Sequence, residues 1–209
     1  MHLGVDRIED LEQQYGTPRV LAGEAEFAAG EFELIWRAHR KQRAHDVTVI
    51  VRDSCGRFAL IRKHGYPDGI FRPPSGGIEP GESVEAGAAR EVWEETGLSS
   101  RLSRYLLRAE MRFHHAGKTL EWTTHVFLSD TPDAAEGNLD PKDRKEIAEA
   151  AWGSAEEMHG PYRDRMLATG SAGFSYRVDL QDHALELLGF PPPQPNARSI
   201  LTDIQRGQP

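Results

Sequence analysis

Cysteine is almost absent. Cys55 stands alone, so an intramolecular disulfide is excluded and a reducing compartment, the cytoplasm, is expected. Long apolar runs are absent too: the longest β-like one, Val47-Thr48-Val49-Ile50-Val51, is far too short to span a bilayer, so no membrane partner is expected. The opening MHLGVDRIED lacks both the basic start and the apolar centre of a secretion signal, and none is expected. Positive charge is in deficit. A net charge of −8 opposes a nonspecific hold on a nucleic-acid backbone, and small phosphorylated ligands fit only if a cation stands between them and the protein. No histidine pair has the spacing of a zinc motif, so His64, His114, His115 and His125 read as surface or packed-core side chains. There is no internal repeat of about 20–50 residues.

What is present divides by texture. The chain of 209 residues suits one well-buried domain with decoration. Residues 1–45 read as an N-terminal extension, with a short helix over 8–14 and extended segments over 19–27 and 31–38. Their apolar side chains (Val20, Leu21, Phe27, Phe32, Leu34, Ile35, Trp36) would need a partner edge. Residues 15–45 are therefore expected to build a homodimer, the alternative being that they fold back on their own domain. Residues 46–190 read as a mixed α/β domain with C-terminal helices. DVTVIVRD and RFALIRKH form a hairpin about Asp53-Ser54-Cys55-Gly56, and RYLLRAEMRFHH pairs with TLEWTTHVFLSD about Ala116-Gly117-Lys118. EIAEAAWG is a strand leading to a helix that starts at Ser154, with Glu157 placed for a capping box. Helical patterns follow over 162–169 and 180–188. The proline-rich residues 191–209 read as an extended or mobile arm.

The chemistry concentrates in GGIEPGESVEAGAAREVWEETGL, residues 76–98. Ser83 is a good N-cap and Gly97 a good helix stop, which puts 84–96 on a helix. Glu91, Glu94 and Glu95 then share one arc at i, i+3 and i+4, while Ala88, Ala89, Val92, Trp93 and Thr96 form another side that can face a core. Three bunched carboxylates repel one another, and helix stability does not call for them. Hard divalent cations such as Mg²⁺ and Mn²⁺ do, because they take oxygen ligands. Arg90, four residues before Glu94, offsets part of the repulsion. Gly76, Gly77 and Gly81 allow a tight loop whose backbone approaches a metal or ligand closely.

This stretch resembles the Nudix box, G-x5-E-x7-R-E-U-x-E-E-x-G-U with U a bulky apolar residue. Gly76, Glu82, Arg90, Glu91, Val92, Glu94, Glu95, Gly97 and Leu98 fill its specified positions. The resemblance implies the Nudix fold, an α/β/α sandwich with a mixed β-sheet, and Mg²⁺- or Mn²⁺-dependent hydrolysis of a nucleoside diphosphate linked to another moiety. It implies that the Gly76 carbonyl and the carboxylates of Glu91, Glu94 and Glu95 bind metal or its waters, with Glu82 and Arg90 in support. Ser75 departs from the glycine that many members carry there, and a changed hydrogen bond is expected.

Metal alone does not take the proton from an attacking water, so a carboxylate is useful. In the Nudix family this base varies, in the box or in a later loop. Glu146, in the segment EIAEAAW, is the candidate outside the box; the bland alternative is a surface glutamate in a charged run. Glu149 and Glu136 are weaker rivals, and Glu91 or Glu94 could serve from within. Tyr66, Phe71 and Arg72 lead straight into the box loop: the aromatics could stack on a base and Arg72 could meet a phosphate, although core packing explains Phe71 equally well. The expected partner is a small nucleotide, with ADP-ribose-like substrates favoured because the N-terminal segments resemble those of ADP-ribose and nucleoside-diphosphate-sugar hydrolases. Against this, the proline that group places about fifteen residues beyond the box is missing. The SQPWPFPxS array of NADH hydrolases and the signature of the coenzyme A group are absent as well. Nucleoside triphosphates, dinucleoside polyphosphates and a non-catalytic nucleotide sensor remain as alternatives. An isomerase would want more cysteine and histidine chemistry, and a fused regulator would want a basic helix-turn-helix.

Overall fold

The computed structural model describes residues 5–131 and 138–204. Chain order is α1 (Val5–Tyr15), β1 (Arg19–Glu26), α2 (Ala29–Arg40), β2 (His45–Asp53), β3 (Phe58–Lys63), β4 (Ser75–Gly77), α3 (Val84–Thr96), β5 (Arg104–His115), β6 (Lys118–Thr131) and β7 (Ile147–Gly153). A short turn α4 (Ala155–Glu157), a π-helical turn (Met158–Tyr162), α5 (Arg163–Ala168), α6 (Ala172–Leu187) and β8 (Leu201–Asp203) complete it. The strands make one mixed sheet in the order β7-β3-β2-β6-β5-β1-β8, with β4 paired to β2 off that path. β2 runs parallel to β6 and β1 parallel to β5; the other pairs are antiparallel.

The alternation of β2 builds the layers. Val47, Val49 and Val51 point to one core, shared with Ala88 and Val92 of α3 and Leu11 of α1. Ile50 points to the other, shared with Phe32 of α2 and Leu180 and Leu185 of α6. Helices therefore cover both faces of the sheet, the expected α/β/α arrangement. Among the described residues no helix is long and apolar enough to cross a membrane.

Both expected hairpins form. Gly56 N donates to Asp53 O at 3.0 Å in the first turn, and Ala116 and Gly117 take φ of 47° and 77° in the second. The capping box at Ser154 and Glu157 is present as well.

Residues 31–38 differ from expectation: they lie in helix α2, not in an extended segment. Phe32, Ile35 and Trp36 recur at i, i+3 and i+4 and meet the core as one stripe, which is a helical period. Glu31 accepts from Ala28 N at 3.2 Å at the start, and Glu33 pairs with Arg37 at 2.8 Å along the outer face. The premise for a homodimer through 15–45 goes with it. β1 lies between β5 and β8, and Val20, Leu21, Phe27 and Phe32 are buried within the chain, with Leu34 left exposed.

Two further differences concern the C-terminal part. Helix α6 begins at Ala172, eight residues before the apolar pattern that predicts a helix over 180–188. It buries polar side chains along its length (Ser175, Asp179, Gln181, Asp182), which erases the apolar stripe. The tail, expected to be an extended or mobile arm, docks at Leu201–Asp203 as β8, antiparallel to β1. Asp179 of α6 holds it there: Oδ2 accepts from Ile200 N at 2.7 Å, Leu201 N at 3.2 Å and Ser199 Oγ at 3.1 Å.

This docking dictates a glycine in β1. A Cβ built on Gly23 would collide with the Ile200 carbonyl oxygen. Gly23→Ala is therefore expected to lower stability by about 1–3 kcal/mol in urea unfolding. An unchanged midpoint would show that the tail is not seated on β1.

Candidate active site

Helix α3 starts and ends where its sequence dictates. Ser83 Oγ accepts from Ala86 N at 3.1 Å, and Gly97, at φ 77°, closes the helix through its N–H to Trp93 O at 2.9 Å. Its core side is Val84, Ala88, Val92 and Thr96. Trp93 and Ala89, expected to face a core, are exposed instead, Trp93 at 50%: they lie at the edge of a stripe that small residues already fill.

Arg90 is the hub of the outer carboxylates. Its Nε and Nη2 donate to the two oxygens of Glu82 at 2.9 Å each, and Nη2 also donates to Gly77 O at 2.9 Å. Nη1 reaches Glu91 at 2.5 Å and Glu94 at 3.3 Å. Hydrogen bonding from Arg90 holds the Glu82 carboxyl below its ordinary value. Glu91 goes the other way. Burial pushes its carboxyl up to about 7; Arg90 opposes the rise and the neighbouring Glu95 adds to it. The carboxylate of Glu91 lies over Gly76 so closely that any Cβ there would collide with it.

Glu95 is buried, 3% exposed. Its Oε2 accepts from Ser75 N at 2.7 Å, while Oε1 sits 3.0 Å from Lys63 Nζ and 3.8 Å from Arg72 Nη2 without making a directed hydrogen bond. Lys63 is shared, because it also pairs with Glu146. The β3–β7 ladder causes this, since Lys63 stands opposite Ile147 and His64 N donates to Glu146 O at 2.9 Å. Glu146 itself is exposed and thus lies one lysine away from Glu95. Glu149 pairs with Arg62 at 3.4 Å, and Glu136 lies outside the described residues.

The three residues upstream of the loop part company. Arg72 is 1% exposed, and donates to Tyr66 Oη at 3.1 Å, Pro73 O at 2.7 Å and Ser75 Oγ at 2.8 Å. Tyr66 is half-buried against Phe174 at 5.1 Å. Burial alone would raise its phenol, but Arg72 and Arg177 override this and bring it down to about 8. Phe71 turns into the core against Tyr162 at 5.1 Å. Ser75 shows the changed hydrogen bonding expected of it: Oγ accepts from Arg72 and, at 3.1 Å, from Arg177. Arg177 escaped the reading of the sequence. It lies on the polar half of α6, about 100 residues away from its partner, with no local pattern to mark it.

His64 borders this centre, its Nε2 3.3 Å from Arg144 O, and the other histidines singled out in the sequence bond elsewhere. His125 is buried between His45 (Nδ1 to Nε2, 3.1 Å) and Tyr105 (Oη to Nδ1, 2.5 Å), and burial pushes it down to about 3. His114 and His115 bond Thr119 and the Phe27 carbonyl, both at 2.9 Å. Among the described residues no three His, Cys, Asp or Glu side chains already converge on one metal position. The donor set nonetheless suits a hard cation. It offers only oxygens, it holds Glu91 and Glu95 in partly desolvated positions, and it leaves Glu95 Oε1 with ion pairs alone. Gly76, Glu91, Glu94 and Glu95 could hold such an ion once Arg90 and Lys63 yield their places as counter-charges.

Comparison with known proteins gives a family. The family model described as NUDIX domain matches residues 42–173. The chain is 37% identical over 112 residues to NAD-capped RNA hydrolase NudC of Mycobacterium tuberculosis (strain ATCC 25177 / H37Ra), covering 54% of this chain and 33% of that protein. It is 31% identical over 121 residues to the protein of the same description from Edwardsiella ictaluri, covering 55% and 42%. The chain thus spans less than half the length of these relatives. Among solved structures, a NUDIX hydrolase from Nitrosomonas europaea is 21% identical with a TM-score of 0.47, covering 75% of this chain and 99% of that one.

The electrostatics of Glu91 can be tested without substrate. Its folded value near 7 lies above its ordinary 4.5, so ionisation penalises the folded state: the penalty is absent below the unfolded value and grows as pH rises towards 7. In metal-free protein, Glu91→Gln is expected to add about 1–2 kcal/mol of stability near pH 8 and little near pH 5. Equal destabilisation at both values would show instead that the pair with Arg90 is net favourable.

Proposed function

The chain belongs to the NUDIX family, and on that premise we propose that it hydrolyses the pyrophosphate linkage of a nucleoside diphosphate joined to another moiety, with Mg²⁺ or Mn²⁺ as cofactor. The observation that carries this reading is the pair of desolvated carboxylates, Glu91 and Glu95, packed against the Gly76 loop. Gly76, Glu91, Glu94 and Glu95 would hold the ion, with Glu82 and Arg90 fixing the outer side. When bound, the cation neutralises phosphate oxygens and makes water more acidic. A water oxygen attacks one phosphorus, the bridging P–O bond breaks, and two phosphomonoester products leave.

Glu146 takes the water's proton in this reading. It is exposed, so it can swing, and Lys63 ties it to Glu95. A second reading gives that task to Glu91, whose carboxyl near 7 suits a base at neutral pH. Arg72 supports this centre from beneath through Ser75, and Tyr66 supports Arg72; Phe71 contributes packing. Contact of Arg72 with a phosphate would need it to leave a site where it is 1% exposed.

The named activity of the NudC relatives, on NAD-capped RNA, supports cleavage of a nucleotide-linked pyrophosphate. The SQPWPFPxS array associated with NADH hydrolases is missing from this chain, which turns the reading towards smaller ADP-ribose-like substrates. Complete box glutamates argue against a pure sensor.

ADP-ribose with Mg²⁺ or Mn²⁺ is expected to yield AMP and ribose 5-phosphate. Glu95→Gln should lower turnover by about 100-fold and Glu146→Gln by about 10-fold or more. A kcat/KM for deoxynucleoside triphosphates about tenfold above that for ADP-ribose would overturn the substrate class and leave the hydrolase reading intact. Near-normal turnover in a folded Glu95→Gln protein would overturn the metal assignment.

A further inference from the structure

Arg177 lies beyond the segment that the family model matches, yet its guanidinium reaches the floor of the box loop. Its helix is pinned on both sides of it. Tyr176 Oη donates to Thr124 Oγ1 of β6 at 2.6 Å, and Asp179 holds the backbone of the docked tail. Arg177 is therefore not a surface arginine that drifted onto a hydroxyl. Among the described residues it makes no ion pair, and Ser75 Oγ accepts its one hydrogen bond.

That hydroxyl accepts from Arg72 as well, which uses both of its lone pairs. Two guanidiniums on one neutral oxygen repel each other, and burial together with Arg72 pulls Arg177 below its ordinary value. Such an arrangement is tolerable only beside negative charge, which Asp46 and Glu95 supply to Arg177 and Glu95 supplies to Arg72. Ser75 makes the connection: its N–H donates to Glu95 Oε2 at 2.7 Å, and its backbone is held from the other side by β4 pairing with Thr48 of β2.

Resting on the hydrolase reading above, we propose that Arg177 is a positioning residue: with Arg72 it clamps the Ser75 hydroxyl and so aims the Ser75 amide at Glu95, fixing which carboxylate oxygen faces the metal position. Helix α6 is then part of the catalytic apparatus. The serine, where a glycine could stand, is the contact that makes it so. Supporting residues of this kind act on geometry, so they change turnover and metal affinity more than substrate binding.

The test is a double-mutant cycle with Ser75→Ala, Arg177→Met and the pair, plus Arg177→Lys. It reads kcat and KM on the preferred pyrophosphate substrate, Mn²⁺ dissociation constants by calorimetry, and Tm without metal. Each single variant is expected to lower kcat and Mn²⁺ affinity by about 10-fold, with KM within about threefold of wild type. The double variant should be no worse than the poorer single one, because both changes break one path. Arg177→Lys should recover part of the loss, since an ammonium can still donate to Ser75 Oγ. An Arg177→Met protein within about twofold of wild type in both kcat and Mn²⁺ affinity would overturn the proposal. So would losses that multiply in the pair, or a fall in Tm with no change in Mn²⁺ affinity. If Arg177→Met does not fold, Ser75→Ala decides, because it removes the same contact: kcat and Mn²⁺ affinity within about twofold of wild type would overturn the proposal. A wild type that cleaves none of the substrates would defeat the hydrolase reading alone, and the Mn²⁺ cycle would still decide the role of Arg177.

Discussion

Burying the carboxylate of Glu95 is the constraint that organises this protein. A charge removed from water costs several kcal/mol unless fixed partners replace the solvent. Here three elements supply them: Ser75 N from β4, Lys63 from the end of β3, and Arg72 from the bridge that pairs it with Ile61. Each partner carries a requirement of its own. Arg72, itself buried, needs Tyr66, Pro73 O and Ser75 Oγ; Lys63 needs Glu146. The requirements propagate outward until they reach exposed side chains, and the strands β3, β4 and β7 are held in register along the way.

The two sides of α3 solve the charge problem differently. On the Glu82 side, Arg90 is satisfied almost completely by carboxylates and the Gly77 carbonyl, which makes a closed structural unit. On the Gly76 side the books do not balance: Glu91 keeps its carboxyl near 7 despite contact with Arg90, and Glu95 Oε1 has only ion pairs. A frustrated anionic pair beside two glycines, Gly76 and Gly77, is costly for a folded protein and useful for a cation-dependent one. Stability and chemistry therefore separate within a single helical turn.

How much of this could be read from the sequence depends on whether a residue's role shows in its neighbours. The box was legible because Glu91, Glu94 and Glu95 repeat at helical spacing between a good cap and a good stop. The central strands were legible because their apolar residues are continuous or alternate. Helix α2 was misread because Phe32, Leu34, Ile35 and Trp36 are dense enough to satisfy either period; the local pair Glu33–Arg37 is what the helix adds. Trp93 shares a helical side with Ala88 and Val92 but lies at its edge, while Ala88 and Val92 already fill the space over Val49 and Val51. The docked tail depends on Gly23 and Asp179, each of which is unremarkable among its own neighbours.

Helix α6 shows why such residues hide. It is nearly enclosed, yet it buries Ser175, Asp179, Gln181 and Asp182 beside Tyr176, Val178, Leu180 and Leu185. An enclosed helix with only apolar side chains would dock well in several rotations. One whose buried polar groups must meet Thr124, Ser75, Arg163 and the tail backbone has a single satisfactory orientation. The polar residues that spoil its amphipathic pattern are thus the ones that fix its rotation. Fixing that rotation is what brings Arg177 to Ser75, so the feature that conceals the helix from pattern reading is also the one that attaches it to the site.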